Sequence, residues 1–229
     1  MTLVEIDISK EPACLKALSS NPAMTYETDL QGECRIEVRE LLKREQNNLC
    51  AYCQKDITGV MTIEHYIAQS DVDNNGQNLQ LNFSNFLGVC TGKFYLNRMT
   101  GTHAEHCDTS RRKIPLQIDP RIPEHINTIS YTDDFKIISS DHDFNSDLNT
   151  ILNLNIDGIC NLRQSAFNRY LELISENWTG DITIEFYQKT LRDLRNNPPE
   201  YYGYIKYRFE QLLKNEVQKL ELDDNFPQP

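Results

Sequence analysis

A chain of 229 residues has room for one domain, or for a small core with a helical attachment, and 39% hydrophobic content suits a globular fold and excludes disorder for its bulk. With 23 Lys plus Arg against 34 Asp plus Glu, the formal net charge is −11. Such a molecule repels a phosphate backbone, which argues against a solitary nucleic-acid binder.

No apolar run approaches the length of a bilayer span, so no membrane partner is expected. Seven cysteines without a signal peptide point to a reducing cytoplasm, where thiols bind metal or stay free. There is no internal repeat and no low-complexity tract.

Residues 1–48 read as an N-terminal helical segment. Between Arg35 and Asn47, the residues Ile36, Val38, Leu41 and Leu42 recur among charges at roughly helical spacing and lead straight into Cys50. This helix is expected to prop the turn that begins at Cys50. Cys14, Cys34 and Cys160 read as ordinary buried thiols, since cysteine is among the most often buried residue types.

Residues 49–120 hold the chemistry. The run CAYC, Cys50 to Cys53, puts two thiols in one turn, the half-site a tetrahedral zinc requires. A redox dithiol would call for a βαβ context, whereas the next residues are QKDITGVMTIEH, a turn and then a β-branched run. A second pair is therefore needed downstream, and Cys90 and Cys107 are favoured, with His106 as runner-up for the last position and His103 as a further imidazole in reach. Residues 91–106 would form a loop inserted between two ligands, tolerable because closure entropy grows slowly with loop length.

Val60 to His65 alternates and reads as a strand ending at Glu64 and His65. SDVDNNGQNLQ is loop-like, and FLGV after Asn85 is a second strand. DTSRRK after Cys107 suits a short helix capped at Asp108. From Lys93 to Lys113 five basic residues (Lys93, Arg98, Arg111, Arg112, Lys113) outnumber Glu105 and Asp108, a local positive patch or simply a solvated loop. Arg111, Arg112 and Lys113 are its candidate substrate-binding members.

Residues 121–229 read as a hairpin followed by helices. ISYTDDFKIIS is the hairpin. Asp147 to Leu154 starts a helix, Gly158 interrupts, and Ile159, Leu162, Phe167, Tyr170, Leu171 and Ile174 share one face of the next. Ile182 to Leu194 and Tyr204 to Leu220 give two more, separated by NNPP. The aromatic run from Tyr201 to Phe209 suits helix packing first, and a docking surface or a base-stacking platform as alternatives.

Strand, loop, strand and helix around a zinc describe a ββα-metal core, and its residue types suit phosphodiester hydrolysis. That reaction needs a water activated near neutral pH and a cation to stabilise developing charge. His65 suits the first task. Glu64 and Asp108 offer the oxygen ligands that magnesium or manganese prefers. Asn85 is the candidate for orienting the imidazole of His65.

The series CAYC, IEHYIAQS, SNFLGVC, EHCDTSRRK, PLQIDP and DLNTILNLN resembles the PtuB-type HNH nucleases of Septu and retron antiphage systems, over about residues 40 to 165. The resemblance implies His65 as general base, Asn85 as its buttress, and Asp108 in a position that is usually Asn or His in the broader HNH group. Glu64 stands where that group often has Asp. It also implies an α+β fold, a PtuA-like ABC- or SMC-type ATPase partner and, in retron versions, a reverse transcriptase with its msDNA. DNA, RNA and transfer RNA all remain open as substrates, and a zinc-stabilised adaptor without activity is the alternative to the enzyme.

Overall fold

The computed structural model describes residues 1–97 and 101–223. Three helices open the chain: α1 (Ala13–Ser19), α2 (Tyr26–Asp29), capped by the Thr25 hydroxyl, and α3 (Gly32–Glu45). The last starts three residues earlier than its apolar pattern alone indicates and buries Val38, Leu41 and Leu42, whereas Ile36 is exposed. Asn47 and Asn48, both at positive φ, end it, because Asn tolerates the left-handed region and so turns the chain toward Cys50. Packing of α1 on α3 brings Cys14 and Cys34 into a disulfide with Cα atoms 5.8 Å apart. The reading of these two as free buried thiols is thereby corrected; Cys160 is free and buried.

The centre of the molecule is an antiparallel pair, β1 (Thr62–His65) and β2 (Phe86–Val89), with Thr62 opposite Val89 and His65 opposite Phe86. Residues 91–106, read from sequence as an inserted loop, instead contain a second hairpin, β3 (Lys93–Asn97) and β4 (Thr102–Glu105). The alternation in KFYLN and a positive-φ Gly101 are the local signals for it. Arg98 of the expected patch lies outside the described residues. Helix α4 (Cys107–Arg111) comes next, with His106 rather than Asp108 at its cap.

Beyond it come α5 (Pro123–Ile126), the expected hairpin as β5 (Ile129–Tyr131) and β6 (Ile137–Ser139), and α6 (His142–Ser146) running into a π-helical turn, Asp147–Ile151. Three long helices close the chain: α7 (Asp157–Asn177), α8 (Ile184–Asn196) and α9 (Tyr202–Asp223). Gly158 does not interrupt a helix. It sits in the first turn of α7, where an added Cβ would lie 2.2 Å from the ring of Phe94 on β3, so the crossing of hairpin and helix requires glycine.

The fold is thus mixed α+β, with three small antiparallel sheets among the described residues. One apolar cluster runs from Met1 and Leu15 through Tyr52, Phe86 and Ile118 to Leu152 and Tyr204, and it spans the divisions expected at 48/49 and 120/121. A second lies between the last helices around Ile159, Phe186, Leu194 and Phe209. Tyr201, Tyr204 and Phe209 of the aromatic run are buried, and Tyr204 packs edge-on against Tyr131 and Phe167 at 5.4 and 5.8 Å. Helix packing accounts for these three.

Candidate functional site

Cys50 and Cys53 leave the turn after α3, Cys90 follows β2, and Cys107 opens α4; all four are buried, with their sulfurs within 4.8 Å of one another. Cys50 Sγ stands 3.9 Å from Cys107 Sγ, and Cys53 Sγ 3.7 Å from Cys90 Sγ. A tetrahedral zinc with bonds of about 2.3 Å holds its sulfurs about 3.8 Å apart, so the donor set fits that ion in both chemistry and spacing. His106 stands beside the cluster rather than in it. Its buried ring presents Nδ1 to Cys107 Sγ at 3.1 Å and to Cys90 Sγ at 4.0 Å, which suits a ring proton shared with thiolate sulfur. Burial pushes the Cys107 thiol well up, a cost that a bound cation removes.

The knuckle is fixed by a residue that sequence reading passed over. The Gln46 side chain, buried at the end of α3, donates Nε2–H to the carbonyls of Leu49 and Gly88 at 3.0 and 2.8 Å and accepts the Gly88 amide at 2.6 Å. Ala51 N–H also donates to the Gly88 carbonyl, at 3.0 Å. One amide thus ties helix, knuckle and β2 together. Its only sequence signal is a Gln four residues before the first Cys, which is too common to single out.

Gln46→Ala leaves the Gly88 N–H without its acceptor, and a buried group left unmade costs about 1–3 kcal/mol. Urea unfolding of the metal-loaded protein should record a loss of that size; an unchanged midpoint would remove Gln46 from this role.

On the other end of β1 the carboxyl of Glu64, 6% exposed, forms an ion pair with Arg111, and the Tyr52 hydroxyl donates to it at 3.4 Å. Burial first, then the Asp108 carboxyl that faces it, pushes Glu64 well up, while Arg111 pulls it back. Two facing carboxyls beside a single guanidinium form an arrangement that a divalent cation relieves.

His65 is the last residue of β1. Its ring packs edge-on between Tyr26 and Phe86 at 4.5 and 5.0 Å, and Nε2 lies 2.9 Å from the Gln80 carbonyl. A carbonyl only accepts, so Nε2 carries the proton and Nδ1 is left with the lone pair. Burial lowers the pKa of this ring below 6.5, against the smaller upward pull of the Gln80 bond. His65 is therefore neutral at pH 7.

Asn85 and Arg111 do not stand as expected. Asn85 does not orient His65; its amide accepts the Ile67 N–H at 2.8 Å and donates to the Ile67 carbonyl at 3.0 Å, so it shapes the loop after β1 while Gln80 holds the imidazole. The assignment failed because a backbone carbonyl satisfies a ring proton as well as an amide does. Arg111 is not on a solvated patch. It is 1% exposed and its guanidinium is engaged by Glu64, the Ile114 carbonyl at 2.8 Å, and the carbonyls of His65 and Tyr66.

Arg112, Lys113 and Lys93 are exposed, with Arg112 3.7 Å from Glu105. The Asp108 carboxyl is near enough to Glu64 to push it up, and His65 follows Glu64 in the chain; among the described residues, the only group of three or more donors close enough to share an ion is the cysteine cluster. No protein-family model matches this chain, and no curated protein matches it. Its chemistry rests on its own residues.

Proposed function

We propose that this chain is a metal-dependent HNH endonuclease on a zinc-stabilised ββα-metal core, hydrolysing phosphodiester bonds as the toxic effector of a Septu- or retron-type antiphage system with a PtuA-type ATPase. The observation that carries the reading is the convergence on one thiol cluster of a knuckle, a strand pair ending in Glu64 and His65, and a short helix whose Asp108 faces Glu64.

Magnesium or manganese held by Glu64 and Asp108 would supply the positive charge that stabilises the phosphate and the leaving oxygen. His65 supplies the base. With Nε2–H held by the Gln80 carbonyl, its Nδ1 lone pair takes a proton from the attacking water, and its lowered pKa keeps that lone pair available at neutral pH. Arg111 keeps Glu64 in one position through its ion pair and adds compensating charge to a carboxylate-rich site.

With a net charge of −11, most of the affinity for nucleic acid has to come from a partner, which suits an effector held in a complex with the ATPase and, in the retron reading, a reverse transcriptase and msDNA.

A second reading is favoured by the same ion pair: with Glu64 engaged by Arg111 and His65 only 9% exposed, the chain would be a zinc-stabilised adaptor without activity. Cleavage of DNA and RNA by the complex with the ATPase, in magnesium or manganese, separates the two. The nuclease reading expects activity that disappears in His65→Ala; equal inertness of parent and variant on both substrates would leave the adaptor.

A further inference from the structure

The cations expected between Lys93 and Lys113 to meet a substrate do not remain together, since Arg111 is spent inside the protein on Glu64 and Arg112 stands by Glu105. A different pair lies beside His65. Arg35 and Arg39 are one turn apart on α3, about 6 Å along its axis and on one face.

Arg35 stacks its guanidinium over the Tyr26 ring at 5.2 Å and donates to the Tyr26 hydroxyl at 3.2 Å, and that ring is the one packed edge-on against His65. Arg39 donates one N–H to the carbonyl of Met61, just before β1, at 2.8 Å. Both are half-buried, and among the described residues neither forms an ion pair, unlike Arg111 and Arg112 of the patch first expected to meet a substrate.

Glu40, next to Arg39 in sequence, is turned to Lys43 at 2.9 Å. The amides of the first turn of α3 add to the same field, because Gln31 at its cap gives them no side-chain acceptor, and the Cys14–Cys34 bond pins that end of the helix. The charges that reach the Tyr26 hydroxyl are those of Arg35 and Arg39, with Glu27 and Asp108 opposing them.

We propose that Arg35 and Arg39, with the Tyr26 hydroxyl, bind the phosphate backbone of the nucleic-acid strand delivered to His65. The proposal rests on the nuclease reading: the strand would run along α3 and past the end of β1, not over the β3–β4 hairpin.

The test uses the complex of the ATPase with the full chain carrying His65→Ala, so that no cleavage intervenes, and fluorescein-labelled 20-mers of single-stranded DNA, duplex DNA and RNA in low salt, read by anisotropy against the ATPase alone. Arg35→Gln with Arg39→Gln is expected to weaken binding of the best ligand at least tenfold and to flatten the dependence of log K on log salt by about 1.4 to 1.8, two phosphate contacts' worth. Arg35→Lys should retain most of the binding, and unchanged zinc content and melting temperature exclude a folding defect.

Arg112→Gln with Lys113→Gln removes the same charge elsewhere. If that pair weakens binding as much while the α3 pair does not, or if the parent binds none of the three oligonucleotides, the proposal is overturned. The nuclease reading is judged separately: full cleavage by the α3 double variant, with His65→Ala inactive, would remove the phosphate site and leave the nuclease.

Discussion

Cys90→Ser should yield a protein that holds no zinc and lacks a fixed core. The cluster joins segments that lie 57 residues apart in the chain and sits inside the main apolar core, so losing one thiolate strands three buried thiols and frees three elements from one another. Structural zinc contributes about 10–16 kcal/mol in small metal-dependent domains. A whole domain is stable by only about 5–15 kcal/mol, so the variant should have no cooperative thermal transition by near-ultraviolet circular dichroism. Chelation of the parent protein should produce the same state, reversed by zinc. A sharp transition in the metal-free variant, close to that of the parent, would mean that apolar packing alone carries the fold.

His65→Ala should cost the complex about two to four orders of magnitude in cleavage, the range expected for a general base. The pH profile gives the second arm of this prediction. The folded pKa of His65 lies below its usual 6.5, and the base is the neutral ring, so the rate stays level as pH falls to 6.5 and drops only when the lowered pKa is crossed.

In the unfolded chain the same imidazole takes up its proton at about 6.5, so the folded state also loses stability progressively below that pH. An acid limb centred at or above 6.5, or a variant as active as the parent, would remove His65 from the role of base.

The metal centre was legible in sequence because two thiols in a turn have few other uses and because the two downstream cysteines follow a strand and open a helix. The preference for Cys107 over His106 as the fourth ligand agrees with the sulfur spacing. The strand to Glu64 and His65, the strand FLGV and the ISY–IIS hairpin were legible from alternation, and the last helices from their apolar faces and the NNPP breaker.

What escaped had no local signature. Gln46 acts on a backbone 42 residues away, and the hold of Gln80 on His65 uses a carbonyl that any residue provides. Arg111 looked like a surface cation because charge in sequence says nothing of a buried carboxyl 47 residues earlier. The Cys14–Cys34 pair depends on how two helices meet, and a composition argument from redox compartment pointed the other way.

The coordination sphere of the metal in freshly purified protein tests the central claim most directly. X-ray absorption at the zinc edge should find one zinc per chain with four sulfur neighbours at about 2.3 Å. A chain without bound metal, or a first shell in which nitrogen from His106 replaces a sulfur, would contradict the four-thiolate centre on which the position of every proposed catalytic residue depends.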